Sequence, residues 1–449
     1  MKKGVSTTHI ILLSFLILIL IGTFMLSLPI SSADGNPKPL VDALFTATTS
    51  ACVTGLVAVP TVSSWSFFGQ AVILILIQIG GLGVITIMSV LMILLNRKIG
   101  IGDRLLLQDA FNLNSLSGLV RFVKKVVLGT FIIEAVGALL YMTVFIPQYG
   151  AKGIWISVFT SVSAFCNAGI DIISENSLYE YRFNPVINTV TCLLIILGGI
   201  GYIVWWDVIR VLKNARGRKV RLTRALSLHS KIAVSVTAVL ILIGALLIFV
   251  FEYNNPLTME EYTLAQKIQA SVFQSITTRT AGFAMLPQEN LTNASAIVSL
   301  LLMFIGGSPV GTAGGIKTVT FAVLLAAAFS TIRNKESVEL FDRQFAKQAV
   351  GKALAVVCMS FIIMFSSTVM LAAVTEADAL TIAYETVSAT ATVGLTRNLT
   401  SSLSGIGKLI IIITMYLGRV GPISLAVAFK GNKDNQNIIR NPVEEIIVG

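Results

Sequence analysis

The stretch that decides the fold occurs four times: LFTATTSACVTGL at 44–56, VFTSVSAFCNAGI at 158–170, VFQSITTRTAGF at 272–283 and AYETVSATATVGL at 383–395. Each copy has an aromatic residue, then serines or threonines, and ends on a glycine that an apolar residue follows. The glycines Gly55, Gly169, Gly282 and Gly394 lie 114, 113 and 112 residues apart. The third copy is one residue shorter between its aromatic residue and its glycine. This regular spacing indicates an internal repeat of four units.

The composition indicates a membrane protein. The chain has 449 residues, of which 55% are hydrophobic and 12% charged, and its mean hydropathy is +0.85. A soluble protein of this length needs a larger polar surface to cover its core. Apolar runs of about 20 residues, enough to cross a hydrocarbon core, recur along the chain, whereas a barrel would show short alternating segments. We therefore expect a multi-pass protein of the plasma membrane.

The repeat and the apolar runs together predict the fold. We expect an all-α polytopic membrane protein, in which four helix–pore-loop–helix repeats with eight transmembrane helices surround one central pore with pseudo-fourfold symmetry. The paired helices are expected near 8–30 and 67–95, 122–146 and 184–212, 228–252 and 292–330, and 350–375 and 403–429. The predicted segments are pore repeat 1 at 1–98, pore repeat 2 at 117–216, pore repeat 3 with the only broken second helix at 225–335, pore repeat 4 at 345–431 and a C-terminal tail at 432–449.

Charged residues alternate between the two sides of the predicted membrane. The formal net charge is +11, and lysines and arginines concentrate in alternate loops such as 210–224, 333–352 and 430–440, whereas the other loops are acidic. The positive-inside rule assigns the basic loops, and with them both termini, to the cytoplasm. Because membrane spans separate these charges, they form no single basic patch, and we expect no nucleic-acid partner.

The four glycine-ended stretches are too short and too polar to cross a membrane. Each can enter halfway as a short helix and return in an extended conformation, which is tolerated only where the backbone lines a water-filled cavity. Four such returns around one axis form a selectivity filter, in which backbone carbonyls replace the hydration shell of a cation. Glycine permits the conformations that turn successive carbonyls toward the axis. We expect the preceding serines and threonines to hydrogen-bond neighbouring loops and hold the ring open.

The residues that we assign to the filter are the last four of each return. They are Cys52, Val53, Thr54 and Gly55 in the first, Cys166, Asn167, Ala168 and Gly169 in the second, Arg279, Thr280, Ala281 and Gly282 in the third, and Ala391, Thr392, Val393 and Gly394 in the fourth. No return contributes a ring of carboxylates, so backbone carbonyls are the expected ligands of the ion. Asp171 is expected at the outer mouth. The alternative is that the four stretches are ordinary glycine turns between helices.

A second set of glycines lies inside the second apolar run of each unit. These segments are GGLG at 80–83, GGIG at 198–201, GGSPVG at 306–311 and GRVGP at 418–422. Tight packing of helices through small residues is the simplest interpretation of the first two. In the third unit, 306–315 contains a proline and five glycines, which cannot form a continuous helix. This break is either a packing kink or a mobile plug below the filter.

Several polar residues fall within the predicted membrane. The candidate gate residues are Gly306, Gly307, Ser308, Pro309, Gly311, Gly314, Gly315, Lys317 and Arg419. An arginine at such depth usually faces a cavity or a partner, so we expect Arg419 below the filter, where it repels or paces cations. A salt bridge to a buried acid is its alternative. Glu134 either forms a helix–helix hydrogen bond, or is protonated, or belongs to a site for a coupling ion.

In these four motifs the sequence resembles the Trk/Ktr/HKT superfamily of potassium transporters, over nearly the whole chain. It lacks the two additional N-terminal helices of Trk-type subunits, so it is most similar to Ktr-type membrane subunits. The resemblance implies K⁺ uptake and a gating loop at the break of the third unit. In HKT relatives a serine in place of the first-loop glycine accompanies Na⁺ preference. Gly55 and its three counterparts match the K⁺-type pattern.

The resemblance also implies partners that composition and spacing do not reveal. These are a homodimer with one pore per protomer, surrounding membrane lipids, and a cytoplasmic ring of Rossmann-type regulatory subunits that bind ATP or ADP. Transport is expected to depend on Na⁺. This chain carries no nucleotide motif of its own, because Ile316 interrupts the P-loop-like stretch at 314–318. The apolar end of the C-terminal tail, 441–449, is expected to dock at the dimer interface or on the partner.

Two other functions remain as alternatives. A Na⁺-permeable or weakly selective monovalent cation transporter would have the same fold and pore. A polytopic membrane enzyme would need clustered acid, base or metal-binding residues. The chain has only His9 and His229 as histidines and no intramembrane pair of aspartates. We therefore expect no enzymatic activity.

Overall fold

A computed structural model describes residues 7–84, 86–89, 108, 118–215, 225–335 and 337–421. Its helices are α1 (Thr7–Leu26), α2 (Leu40–Ala51), α3 (Thr61–Ser64), α4 (Phe67–Leu82), α5 (Leu119–Tyr149), α6 (Lys152–Cys166), α7 (Pro185–Gly199), α8 (Tyr202–Ala215), α9 (Leu228–Glu252), α10 (Leu264–Thr277), α11 (Asn293–Phe304), α12 (Thr318–Ile332), α13 (Lys347–Ala372), α14 (Ala379–Ala391) and α15 (Gly405–Val420). A two-stranded antiparallel hairpin of β1 (Glu339–Leu340) and β2 (Arg343–Gln344) precedes α13. The fold is mostly helical, as predicted.

Within the residues that the structure describes, four helices are long and apolar enough to cross a membrane. They are the first helices of the four predicted units: His9–Leu26 in α1, then α5, α9, and Gln348–Ala372 in α13. A fifth span results if α7 and α8 are counted together. The other second helices, such as α4 with 16 residues, are shorter. Several apolar helices therefore fit a multi-pass membrane protein, while the count of eight crossings and the boundaries of the repeats stay predictions.

The short helices α2, α6, α10 and α14 coincide with the Ser/Thr-rich stretches. Local sequence explains how they begin: at α10, Thr263 and Gln266 form a capping box, in which each side chain accepts a hydrogen bond from the other residue's backbone N–H. At α14 the Asp378 side chain accepts from Thr381 N at 3.1 Å. Each helix ends a few residues before the glycine of its motif. The predicted pattern of a short helix followed by a non-helical return is confirmed.

The prediction that only the third unit has a broken second helix is wrong. In the second unit the predicted helix 184–212 divides into α7 and α8, whose axes differ by 97°. The break lies at Gly201, which has φ +93°. Glycines also end α4 and α15, where Gly83 has φ +86° and ψ 132° and Gly421 has φ +90° and ψ 140°. Side chains with a Cβ are excluded from this conformation, but the apolar residues on both sides concealed the breaks.

The second set of glycines allows the second helices to approach the short helices closely. A Cβ on Gly80, Gly198 or Gly418 would lie within about 2 Å of the carbonyl oxygen of Ala51, Phe165 or Thr390, respectively. Each of these carbonyls belongs to the residue four positions before the glycine of its motif. The predicted packing through small residues is therefore confirmed, and in these three units it lies at the C-terminal end of the short helix.

Several predicted features lie wholly or partly outside the described residues. Among them are the C-terminal tail 432–449 and the ends of the helices predicted at 67–95 and 403–429. Most of the basic loop 210–224 is also outside.

Candidate functional site

The four returns share one backbone conformation. The glycines have φ values of +99° at Gly55, +65° at Gly169, +77° at Gly282 and +97° at Gly394. Two residues earlier, Val53, Asn167, Thr280 and Thr392 also have positive φ, between +52° and +64°. A left-handed residue, an ordinary residue and a left-handed glycine in succession rotate the peptide planes so that successive carbonyls point in similar directions. A positive φ is unfavourable for a residue other than glycine, and such residues cluster at functional sites, where the surrounding structure enforces the conformation.

The four returns form a closed ring. A Cβ built on Gly55 would lie 2.4 Å from the carbonyl oxygen of Ala168 in the second return. The same relation joins Gly169 to Ala281 O at 2.5 Å, Gly282 to Val393 O at 2.6 Å, and Gly394 to Thr54 O at 2.4 Å. In every case the carbonyl belongs to the residue directly before the motif glycine of the next unit. The glycine of the fourth unit meets the carbonyl of the first unit, which closes the ring. No side chain fits between neighbours, so the ring requires glycine at all four positions.

Hydroxyl groups of the short helices fix the returns, although not in the way we expected. Gly55 N donates to Thr49 Oγ1 and Gly394 N donates to Ser388 Oγ, both at 3.0 Å. Ser163 Oγ donates to Ile170 O at 2.5 Å, and Thr277 Oγ1 donates to Phe283 O at 2.7 Å. Each hydroxyl therefore contacts its own loop. The prediction that these groups bond neighbouring loops is wrong, because a helix end holds its hydroxyl beside its own return.

An outer cavity of about 540 Å³ opens above the ring. All four glycines of the ring line it, together with Asp171, as expected for a residue at the mouth. Glu175 and Glu289 also line it, and no lysine or arginine is among the lining residues that the structure describes. Burial raises the pKa of Asp171 to about 6, although hydrogen bonds from Ile173, Ser177 and Ser174 oppose this effect. Near neutral pH the cavity is acidic and attracts cations.

The predicted filter side chains do not all face the ring. The Arg279 guanidinium donates to Thr237 O at 3.1 Å, to Thr237 Oγ1 at 3.3 Å and to Gly306 O at 3.1 Å. It thus ties the third return to α9 and to the first residue of the glycine-rich break. Cys166 Sγ lies 3.7 Å from Glu134 Oε1, behind the second return.

The break between α11 and α12 forms a compact loop, which we call the inner segment (residues 305–317). Its ends are held together by a bridge between Ile305 and Ile316 and by a hydrogen bond from Thr318 N to Gly307 O at 3.0 Å. The Lys317 ammonium donates back to Ala313 O at 2.5 Å and to Gly314 O at 3.1 Å. The predicted interruption is confirmed, and Lys317 stabilises it from within.

The inner segment docks on the break of the second unit. Ser308 N donates to Gly199 O at 2.8 Å and Thr312 N donates to Gly198 O at 3.1 Å. Tyr202 N, at the start of α8, donates to Val310 O at 2.8 Å. The carbonyls and the amide that the broken α7–α8 helix leaves without intrahelical partners are satisfied in this way. The two breaks are therefore complementary.

Thr312 is a residue that the sequence analysis missed. Its side-chain oxygen lies within hydrogen-bond distance of Phe165 O at 3.1 Å and Asn167 Oδ1 at 3.0 Å, and its carbonyl accepts from Arg419 Nη1 at 2.7 Å. Gly314 N, two residues on, donates to Thr280 Oγ1 at 3.2 Å. The inner segment therefore touches the inner ends of the second and third returns. The only signal in the sequence was a threonine among glycines.

Arg419 bonds carbonyls rather than an acid. Its second nitrogen, Nη2, donates to Gly80 O at 2.5 Å, so the guanidinium links the inner segment to α4 of the first unit. Within the described ranges it forms no ion pair, and its described partners are carbonyls and not the acid of the alternative interpretation. Glu134 accepts a hydrogen bond from Gln78 Nε2 at 3.3 Å, which joins α5 to α4. The predicted helix–helix hydrogen bond of Glu134 is confirmed.

Comparison with known proteins agrees with this geometry. The sequence profile of the TrkH family, described as a cation transport protein, matches residues 4–439. The chain belongs to this family. It is 39% identical to the Ktr system potassium uptake protein B of Bacillus subtilis, over 98% of this chain and 96% of that protein. It is 38% identical to the potassium/sodium uptake protein NtpJ of Enterococcus hirae, over 100% of this chain and 98% of that protein.

Solved structures give the same fold. The crystal structure of the potassium transporter TrkH from Vibrio parahaemolyticus matches with a TM-score of 0.75, over 95% of this chain and 86% of that one, at 14% sequence identity. The family and its relatives are cation transporters, so the chain is not an enzyme. The resemblance to the Trk/Ktr superfamily that the four motifs suggested is confirmed, and Ktr system proteins are among the relatives that the chain matches over nearly its full length.

Proposed function

We propose that the chain is the membrane-embedded, ion-translocating subunit of a Ktr-type K⁺ uptake system. The observation that carries this proposal is the closed ring, in which the carbonyl before each glycine meets the glycine of the preceding unit. Such a ring supplies backbone oxygens of fixed spacing to a dehydrated monovalent cation. K⁺ is the proposed ion because no carboxylate takes part and all four glycines are present. The ligands are carbonyls of the residues assigned above to the filter.

The inner segment is proposed to be the gate. It contacts the inner side of the returns through Thr312 and Gly314, and it is held by α7, α8 and Arg419. A plug that is held by hydrogen bonds to several units can be released without unfolding a helix. Arg419 adds a positive charge at the same level, which disfavours cations while the segment is docked.

The wider organisation is part of the same proposal. The chain has eight crossings with both termini in the cytoplasm, and it pairs as a homodimer with one pore per protomer. A cytoplasmic ring of Rossmann-type subunits that bind ATP or ADP controls the gate, and Na⁺ activates or couples transport. Support comes from the high identity to a Ktr system protein and from the basic loops, which suit a cytoplasmic side.

Growth and uptake in a cell that lacks its own K⁺ uptake systems test this function. We expect expression of the chain with a Ktr-type regulatory partner to restore growth at limiting K⁺, more strongly when Na⁺ is present. Gly55→Ser inserts a side chain where Ala168 O lies 2.4 Å from a Cβ, so K⁺ uptake should fall and the uptake ratio of Na⁺ to K⁺ should rise. Wild-type chain in the membrane without K⁺ uptake would refute the proposal.

A second candidate function is uptake of Na⁺ as well as K⁺ through the same pore. The observation in its favour is the 38% identity to a relative named a potassium/sodium uptake protein. Uptake of each ion alone and in competition separates the two functions. If Na⁺ enters at a rate comparable to that of K⁺ and the two ions compete equally, the second function is correct.

A further inference from the structure

Behind the third and fourth returns, a buried polar contact joins the short helix to the outer end of the return. In the third unit, Gln274 follows the aromatic residue of the motif, and Gln288 lies six residues beyond the glycine. The two amides form a reciprocal pair: Gln274 Nε2 donates to Gln288 Oε1 at 2.7 Å, and Gln288 Nε2 donates to Gln274 Oε1 at 3.1 Å. Both residues are buried.

The fourth unit has a carboxylate in the corresponding place. Glu385 follows the aromatic Tyr384, and its side chain is fully buried in α14. Thr396 Oγ1 donates to Glu385 Oε2 at 2.6 Å, and Thr400, again six residues beyond the glycine, donates its hydroxyl to Glu385 Oε1. Thr396 Oγ1 also accepts from Leu399 N at 3.2 Å. The carboxylate therefore fixes the turn that follows Gly394 at two points.

The first and second units have a threonine, and neither a carboxylate nor an amide, at this position of the short helix. The corresponding pairs are Thr46 with Thr61 and Thr160 with Glu175. The buried Thr160 hydroxyl has no hydrogen-bond partner among the described residues, and Glu175 is exposed and accepts from Ser63 Oγ at 2.9 Å. A Glu at the short-helix position is thus peculiar to the fourth unit. Packing of the fold alone does not require it, since two units do without it.

The two oxygens of Glu385 each accept one hydrogen bond, so a single side chain holds both Thr396 and Thr400. Glu385 accepts only hydroxyl donors within the part of the chain that the structure describes, and both donors, Thr396 and Thr400, line the outer cavity. Because Gly394 abuts Thr54 O of the first return, a shift of the fourth return would displace carbonyls in two units. Discrimination between K⁺ and Na⁺ depends on the number and the positions of these oxygens.

From these contacts we propose that Glu385 is a positioning residue for ion selectivity. It clamps the outer end of the fourth return to α14 and holds the carbonyls at the spacing that favours K⁺ over Na⁺. The inference rests on the proposed function as a K⁺-selective pore. Glu385 itself does not touch the ion.

The test measures uptake of K⁺ and of Na⁺ by cells that lack their own uptake systems, normalised to the amount of chain in the membrane. Glu385→Ala removes the clamp, and Thr400→Val removes one donor while it keeps the shape of the side chain. We expect the K⁺/Na⁺ uptake ratio to fall about tenfold in Glu385→Ala and about threefold in Thr400→Val, because two bonds and one bond are lost. In the double variant the ratio should equal that of Glu385→Ala, since the two residues share a bond.

Thr386→Val is the matched control. It removes a buried hydroxyl from the adjacent position of the same helix, and that hydroxyl contacts Thr368 on α13 rather than the return. Its K⁺/Na⁺ ratio should equal that of the wild type. If the substitutions in α14 only destabilised this helix, Glu385→Ala and Thr386→Val would both lower the amount of chain in the membrane. The K⁺/Na⁺ uptake ratio would then stay unchanged in both.

The outcomes separate the two proposals. If the wild type takes up K⁺ selectively and both Glu385→Ala and Thr400→Val keep its ratio, the positioning role is overturned and the pore is not. If Glu385→Ala does not reach the membrane, Thr400→Val alone decides in the same manner. If the wild type takes up no K⁺, the proposed function has failed.

Discussion

The contact that holds the inner segment at Thr312 leads to a quantitative prediction. Thr312→Val keeps the shape of the side chain and removes only its hydroxyl. The backbone bonds from Thr312 N to Gly198 O and from Arg419 to Thr312 O remain available. The hydroxyl bond to Phe165 O or Asn167 Oδ1, at 3.1 and 3.0 Å, is lost in the docked state only.

The magnitude follows from burial. Thr312 and Asn167 are both buried, so the loss leaves an acceptor without its donor and costs about 1–3 kcal/mol. If the released segment exposes these groups to water, the cost applies to the docked state alone. The equilibrium between released and docked states then shifts by about 5- to 150-fold. In Thr312→Val, K⁺ flux without the regulatory partner should rise by a factor within this range. The upper limit is the flux of a chain from which residues 308–314 are deleted, because that chain has no segment to dock.

The assay is uptake of radioactive rubidium into proteoliposomes that contain the purified chain alone. Thr331→Val is the control, because its hydroxyl bonds Ala327 O on the exposed side of α12 and touches no part of the inner segment. The reasoning is refuted if Thr312→Val has the flux of the wild type while the deletion of 308–314 raises it. An unchanged flux in the deletion would reject the gate itself.

Two further predictions concern charge along the proposed path. Arg419→Ala removes the hydrogen bonds to Thr312 O and Gly80 O together with a positive charge. Both the basal K⁺ flux and the maximal uptake rate should therefore rise. Wild-type uptake kinetics in this variant would contradict the pacing role. Because burial raises the pKa of Asp171 to about 6, the carboxyl loses its negative charge as the external pH falls from 7 to 5. Uptake at low K⁺ concentration and low ionic strength should decline over that range, and Asp171→Asn should be lower at pH 7 and flat with pH. An Asp171→Asn variant that keeps the wild-type pH profile would assign the effect to another group.

Local chemistry explains why much of the site was predictable. A glycine after a Ser/Thr-rich stretch predicted a return with positive φ, and all four glycines have it. The break at 306–315 was predictable because proline and glycine oppose helix formation wherever they occur. The break at Gly201 was missed because its neighbours are apolar and only the backbone conformation distinguishes a packing glycine from a helix-ending one.

Contacts between distant residues explain the errors. We expected hydroxyls to reach neighbouring loops, but Thr49 and Ser388 bond their own glycines. We allowed Arg419 an acidic partner, yet carbonyls of two other units satisfy it. In a membrane, backbone carbonyls that a broken helix leaves free need donors, and sequence does not reveal which carbonyls are free.

The sequence by itself determined the family, the membrane-spanning runs, the four short helices and the glycines that end them. These features depend on hydropathy, on backbone sterics and on residues within one unit. Only the tertiary structure decided the order of the ring, the docking of the inner segment on the α7–α8 break, the role of Thr312 and the clamp at Glu385. Each of these joins groups that must meet at hydrogen-bond distance, and where each helix stops and bends decides whether they meet.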